Sequence, residues 1–254
     1  MARALILDCD GVLANTERDG HLVAFNHMFD ELDLPFHWTE SEYAELVKIG
    51  GGKERLASVL SPEVARELGI TDPAAAVASW HRRKTDIYLE LLRDGTITAR
   101  PGVRRLVEEA LEAGLRIAVA STSAELSVRS VLRHAIEPSL ARHVRVFAGD
   151  IVPHKKPAPD IYAYALRALF VPSHEAVIIE DSGIGCKAAC GVGVPPIITP
   201  SSYTGDDDFT GAALVVSDLG ELDSPATLLS NPRNLPFRGI VDIPLVTAIA
   251  SCMQ

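Results

Sequence analysis

A chain of 254 residues that is 47% hydrophobic and 23% charged has the make-up of one or two globular domains, which excludes a disordered chain, a collagen and a coiled coil. No apolar run approaches the roughly 18 residues of a membrane span, so a transmembrane protein is excluded as well. Lys and Arg number 24 against 34 Asp and Glu, and the resulting net charge of −10 has the wrong sign for gripping nucleic acid over a broad face.

The first predicted element is a strand over Ala4-Leu5-Ile6-Leu7, with no signal peptide before it. The expected location is the cytoplasm, or the plastid stroma if a transit peptide has been removed. From residue 16 to residue 97 the patterns are helical only: His21 to Leu32, Ser41 to Ile49, Lys53 to Leu60 and Ala74 to Leu92. A stretch of that length cannot be a loop. It is read as a second, smaller domain, a cap over the C-terminal edge of a sheet, where ligands of open α/β folds bind.

Beyond it, strand-like runs (Arg116 to Ala120, Val144 to Phe147, Ala176 to Ile179, Pro195 to Thr199, Ala213 to Val216) alternate with helical ones. The helices are Val103 to Ala113 after Pro101-Gly102, Ala124 to His134, Asp160 to Leu169 and Ile184 to Gly191. Unbroken apolar strands covered on both faces, alternating with helices, predict an α/β fold built on a doubly wound, Rossmann-like parallel sheet. The expected division is a core of residues 1–15 and 98–254 around a helical cap of residues 16–97. The segment from Ser224 onward, rich in Pro and Asn as far as Ile240, fits no pattern. The four cysteines (Cys9, Cys186, Cys190, Cys252) form neither a disulfide framework nor a zinc set, and are expected to be reduced structural thiols.

Four segments lie at the ends of predicted strands. Asp8-Cys9-Asp10-Gly11 places two carboxylates two residues apart, a repulsion that a cation or a transferred proton would balance, although a solvated turn has the same sequence. Ser121-Thr122-Ser123 offers hydroxyls and helix-opening N–H groups to a phosphoryl oxygen, and by itself reads as an N-cap. Lys155-Lys156-Pro157-Ala158-Pro159 holds lysines on a stiff backbone, or is an exposed basic loop. Glu180-Asp181 supplies hard oxygen ligands of the kind magnesium prefers, or is one more acidic turn. One parallel sheet would bring all four to a single edge, and their joint occurrence favours a site over four unrelated turns.

With these motifs the sequence resembles the haloacid dehalogenase-like hydrolases, whose four motifs match Asp8-x-Asp10-Gly11, Ser121, Lys156 and Glu180-Asp181, and whose C1-type cap follows the first motif as the helical insert does here. The resemblance implies that Asp8 is a nucleophile forming an aspartyl-phosphate and that Asp10 is the general acid and then the base. It implies that Ser121 and Lys156 hold the phosphoryl group, with Lys156 rather than Lys155 directly before Pro-x-Pro. Mg2+ would be held by Asp8, the backbone carbonyl of Asp10, and Asp181, with Glu180 in support. An acid at Asp10 suits a phosphatase, which must protonate its leaving alkoxide, and speaks against a dehalogenase.

Finer matches resemble the CbbY group: Asn15-Thr16-Glu17, Gly50-Gly51-Gly52-Lys53-Glu54-Arg55, His81-Arg82-Arg83-Lys84-Thr85 and Ala148-Gly149-Asp150. That resemblance implies hydrolysis of xylulose-1,5-bisphosphate to xylulose 5-phosphate, with Glu17, Gly51, Gly52, Lys53, Glu54, His81, Arg82, Lys84, Ser121, Thr122 and Ser123 touching substrate. The cations Lys53, Arg55, Arg82 and Lys84 would form a second anion site in the cap, unless they are a solvated helix face. His21 and Tyr43 would line the pocket or serve the core. A mutase similar to β-phosphoglucomutase and a broader sugar phosphate or phosphoglycolate phosphatase are the alternatives. A monomer acting on a small phosphorylated sugar, with no nucleic-acid or membrane partner, is expected.

Overall fold

The computed structural model describes residues 2–94 and 97–252; Gly95 and Thr96, in the last residues of the predicted insert, lie outside the described residues. The chain divides into two compact units, Met1–Asn15 with Thr98–Gln254, and Thr16–Ile97.

The first unit is an α/β fold around a seven-stranded sheet. Its strands are β1 (Ala4–Leu7), β2 (Arg116–Ser121), β3 (Val144–Ala148), β4 (Ala176–Glu180), β5 (Ile197–Ile198), β6 (Leu214–Val216) and β7 (Leu228–Ser230), in the order β3-β2-β1-β4-β5-β6-β7. Every neighbouring pair is parallel except β6 and β7. β1 lies in the middle, in register with β2 and β4, so Leu7 sits opposite Val119 and Ile179 and the three strands end side by side. Strand side chains alternate between faces: Ala4 and Ile6 join Ala118, Ala120, Ile178, Tyr162 and Leu166 in one core, while Leu5 and Leu7 are equally buried on the other side.

The strands reach one residue further than their apolar runs. Ser121 pairs with Ala148 and Glu180 with Ile198, so the ladder carries polar residues out to the strand ends. β5 is shorter than predicted because Pro195 and Pro196 have no N–H to donate. Antiparallel β7 was not predicted; Leu228 and Leu229 are both exposed and show no alternation.

Among the described residues, five α-helices belong to the helical unit: α1 (Val23–Glu31), α2 (Glu40–Leu46), α3 (Gly52–Val59), α4 (Pro62–Glu67) and α5 (Pro73–Arg93). Three of their starts have a side-chain cap. Thr39 and Glu42 form a capping box on α2, Ser61 caps α4 ahead of Pro62, and Asp72 caps the 21-residue α5 ahead of Pro73. A π-helical stretch, Glu17–Leu22, replaces the predicted start of the first helix and leads directly into α1. Phe25, Phe29, Trp38 and Tyr43 pack ring against ring to form this unit's own core.

The α/β unit carries α6 (Val103–Glu112), α7 (Glu125–Ile136), the short α8 (Pro138–Ala141), α9 (Asp160–Leu169), α10 (Gly183–Gly191) and α11 (Ile243–Ser251). The segment that fitted no sequence pattern is part of this fold. Arg105 on α6 donates to the carbonyls of Leu219, Gly220 and Val241, and Asp242 then caps α11, whose Leu245, Val246 and Ile249 are buried. Among the described residues the cysteines are free thiols, two of them buried, and no helix is long and apolar enough to cross a membrane.

Candidate active site

Asp8 is the first residue beyond β1 and continues the ladder, its N–H donating to Ile179 at 2.9 Å. Its carboxylate Oδ1 accepts from Lys156 Nζ at 2.6 Å. The same ammonium donates to Glu180 Oε1 at 2.6 Å and to the Ala120 carbonyl at 3.2 Å. Lys156 thereby ties together the ends of β1, β2 and β4, and its side chain is only 5% exposed. The other lysine of the pair, Lys155, lies 3.5 Å from Asp150 instead. The basic loop of the sequence thus holds one buried lysine and one that reaches an exposed acid.

Burial is the main influence on Asp8. It pushes the carboxyl up to about 7; Lys156 partly offsets the rise, and Glu180 and Asp10 add to it. Asp181 is also raised well above the ordinary carboxylate range, by burial and then by Glu180 and Asp8, with Arg100 acting in the opposite sense. For Lys156, burial opposes the charge, but Asp8 and Glu180 outweigh it and hold the ammonium firmly protonated.

Oxygens of Asp8, Glu180 and Asp181 lie within 4.8 Å of one another, a spacing that a metal ion can bridge. Glycines make room for them. A Cβ at Gly11, whose φ is +75°, would stand 2.1 Å from Asp181 Oδ2, and one at Gly185 would stand 2.0 Å from the Glu180 carboxyl carbon. Three hard oxygen donors, crowded and buried with a single lysine between two of them, fit a divalent cation such as magnesium. Glu180 is the most heavily bonded of the three. Its Oε1 accepts from Lys156 and from the Tyr162 hydroxyl, and its Oε2 from the Asp181 N–H at 3.1 Å.

Asp10 is half-buried and accepts from Ser123 Oγ at 2.5 Å. Ser121, buried at the end of β2, accepts from the Ser123 N–H at 3.1 Å, and half-buried Thr122 lies between them. The N-cap alternative for Ser121 does not hold. α7 starts at Glu125 after Ala124 with no side-chain cap, so the hydroxyl cluster belongs to the strand end.

The structure therefore brings Asp8, Glu180, Asp181, Lys156, Asp10, Ser121 and Ser123 to one edge of the sheet. Sequence reasoning missed Tyr162 and Arg100. Tyr162 lies on α9, where the sequence predicted a helix and nothing more. Arg100 stands just before the Pro101-Gly102 pair, which served only as helix punctuation.

In the helical unit the flagged residues form three groups. Glu17 accepts from Tyr43 Oη at 2.5 Å and from both Arg55 Nη atoms at 3.0 and 3.2 Å, and Arg55 Nη1 also reaches Tyr43 Oη at 2.6 Å. Gly52 backs onto the His81 ring, where a Cβ would meet Nε2 at 2.9 Å, and Gly51 takes φ +110° at the start of α3. Lys84 Nζ lies 2.6 Å from His21 Nδ1, beneath the faces of Phe25 and Tyr88. The four cations thus divide, with Arg55 and Lys84 buried in separate contacts and Lys53 and Arg82 exposed, as is Glu54. His21 and Tyr43 are buried.

A family model of haloacid dehalogenase-like hydrolases matches residues 2–193, and the chain belongs to that family. Within it, the chain is a phosphatase of the CbbY type. It is 42% identical over 221 residues to a CBBY-like protein of Arabidopsis thaliana, covering 86% of this chain and 69% of the relative. It is 40% identical over 230 residues to the CbbY protein of Cereibacter sphaeroides, covering 90% and 97%. Among solved structures, a variant of CbbY from Rhodobacter sphaeroides in complex with xylulose-(1,5)-bisphosphate superposes with a TM-score of 0.77 at 39% identity, covering 88% of this chain and 98% of that one.

Proposed function

We propose that this phosphatase removes one phosphate from a small sugar bisphosphate, xylulose-1,5-bisphosphate, to leave xylulose 5-phosphate, through an aspartyl-phosphate on Asp8. The single observation that carries the reading is the Asp8–Lys156–Glu180 arrangement beside Asp181 at the ends of β1 and β4. In support, the CbbY relative with a solved structure binds that bisphosphate. We assign the α/β unit the part of the catalytic core and the helical unit the part of the cap.

Asp8 would attack phosphorus with a carboxylate oxygen as the P–O bond to the sugar breaks. Asp10, oriented by Ser123, would give its proton to the departing sugar oxygen. Asp10, now ionised, would take a proton from the water that attacks the aspartyl-phosphate, which releases inorganic phosphate and restores both carboxyls. Lys156, Ser121 and the N–H groups after β2 would hold the phosphoryl oxygens. Asp8, the Asp10 carbonyl and Asp181 would hold Mg2+, with Glu180 fixing Lys156 and the loop of Asp181. When bound, the metal would neutralise charge on the phosphoryl group. Glu17, Gly51, Gly52, Lys53, Glu54, His81, Arg82, Lys84, Thr122 and Ser123 are assigned to substrate recognition, and Arg55 to that set through its hold on Glu17.

The test compares phosphate release from xylulose-1,5-bisphosphate, xylulose 5-phosphate, glucose 1-phosphate and phosphoglycolate. The bisphosphate should give the highest kcat/KM. Exposed Lys53 should contact the phosphate that is not transferred, so Lys53→Ala should raise KM for the bisphosphate roughly tenfold and leave that for a monophosphate unchanged. Equal effects on both would remove the preference for a bisphosphate.

A further inference from the structure

Arg100 is a buried arginine with an unusual set of partners. Its Nη1 donates to the Gly11 carbonyl and, at 2.8 Å, to the Thr199 carbonyl; its Nη2 donates to Pro200 at 3.1 Å and Ser217 at 2.6 Å. All four acceptors are backbone oxygens. They come from three places: the turn after β1, the two residues after β5 and the residue after β6. The guanidinium fork is suited to this task, because it offers several N–H groups in one rigid plane. Its positive charge also faces Asp181 and Asp218.

The backbone of the same residue is tied to the same loop. Arg100 N–H donates to Leu13 at 3.0 Å, and the neighbouring Ala99 bridges to Ala14. The Gly11 turn is thus held from two sides. Its carbonyl is gripped by Arg100, and its α-carbon abuts the Asp181 carboxylate so closely that no side chain would fit between them. Gly11 directly follows Asp10. A shift of this turn would therefore move the Asp10 carbonyl and open the space against Asp181.

We propose that Arg100 is a positioning residue for the metal site: it fixes the Gly11 turn against Asp181, and so sets the spacing between the Asp8–Asp10 loop and the loop after β4. The role rests on the metal-dependent reading above. It is separate from the Lys156 side of the site, because no hydrogen bond joins Arg100 to Asp8, Lys156 or Glu180 among the described residues. Arg100 does not touch the reacting atoms. Its effect should show first in cation affinity and then in kcat.

The experiment measures Mn2+ binding by electron paramagnetic resonance, without substrate, to the wild type, Arg100→Lys and Arg100→Gln at a temperature where each is folded by circular dichroism. Steady-state kcat and KM are taken on the same samples. The wild type should bind Mn2+; if it does not, the metal-dependent reading fails before the role of Arg100 is reached. Arg100→Gln should weaken Mn2+ binding at least about tenfold and lower kcat with little change in KM. Arg100→Lys keeps the charge but cannot span three strand ends, and should fall between the two. If Arg100→Gln is folded and binds Mn2+ within about twofold of the wild type, or if only Arg100→Lys folds and it does so, the proposal is overturned. Failure of both variants to fold would also overturn it, since the residue would then serve the fold alone.

Discussion

Both units bury charged side chains, but they balance them differently. In the helical unit Glu17 and Arg55 meet through two hydrogen bonds and neutralise each other, with Tyr43 closing the group. At the strand ends of the α/β unit, Asp8, Glu180 and Asp181 crowd together with Asp10 nearby, and among the described residues Lys156 is the cation hydrogen-bonded into the cluster. The first arrangement sets each of its two charges against an opposite one. The second carries surplus negative charge in a buried place, which is unfavourable unless a ligand supplies positive charge. A paired set of charges and a cluster that needs a counter-ion can therefore be told apart by their local charge balance.

The sharpest break of this comparison is Asp8→Asn. Turnover should fall by about a thousandfold or more, because the nucleophile is gone. The metal-free protein should stay folded and unfold at the same or a higher temperature, because one buried like charge has been removed. A variant that keeps substantial phosphate release would refute Asp8 as nucleophile.

Chelation comes next. EDTA should abolish activity and added Mg2+ should restore it, and the pH dependence of stability should change with the metal. Burial raises Asp8 from an ordinary carboxyl value of 3.8 to about 7 in the folded chain. A carboxyl raised on folding contributes stability at low pH and loses that contribution as pH rises through the folded value. The metal-free protein should thus become less heat-stable between about pH 4 and pH 7, measured by scanning calorimetry. The slope should flatten in Asp8→Asn or with saturating Mg2+. A metal-free protein that gains stability over this range would contradict the surplus-charge account.

Much of this site was legible in the chain because parallel strands buried on both faces are written as unbroken apolar runs, and the acidic motifs follow those runs directly. Ala4–Leu7 leads to Asp8 and Ala176–Ile179 to Glu180-Asp181, so locating the strands located the acids. What could not be read was held by contacts distant in sequence. Arg100 finds its carbonyls 89 to 117 residues away, and Arg105 fastens the segment around Gly220 and Val241 across a similar span. Neither arginine carries a local periodicity. Ser61-Pro62 and Asp72-Pro73 show the converse. Both are local caps, yet only the long helix after Asp72 has enough apolar repeat to be noticed from sequence.

The self-balanced pair offers a third test. Arg55→Met removes the guanidinium that donates to Glu17 through two hydrogen bonds, at a site where the Glu17 side chain is 12% exposed. The helical unit should lose about 3 kcal/mol of stability. Glu17→Gln with Arg55→Met should recover part of that, because the carboxylate that lost its arginine is gone. If the single and double variants unfold together, Glu17 is less dependent on Arg55 than the two hydrogen bonds imply.

The smallest effect is expected at Tyr162, which separates charge balance from hydrogen bonding within the surplus-charge site. Its hydroxyl donates to Glu180 Oε1, the oxygen that Lys156 also uses, and its ring lies 4.8 Å from the lysine nitrogen. Tyr162→Phe removes the donor and keeps the ring, leaving every charge of the cluster in place. The loss should be about 1–3 kcal/mol of stability, for a buried carboxylate short of one donor. kcat should drop by less than about tenfold with KM unchanged, because Lys156 still fixes Glu180. If Tyr162→Phe instead approached the defect of Asp8→Asn, orientation of Glu180 rather than charge would dominate the site, and the contrast between the two units would have to be redrawn in terms of geometry.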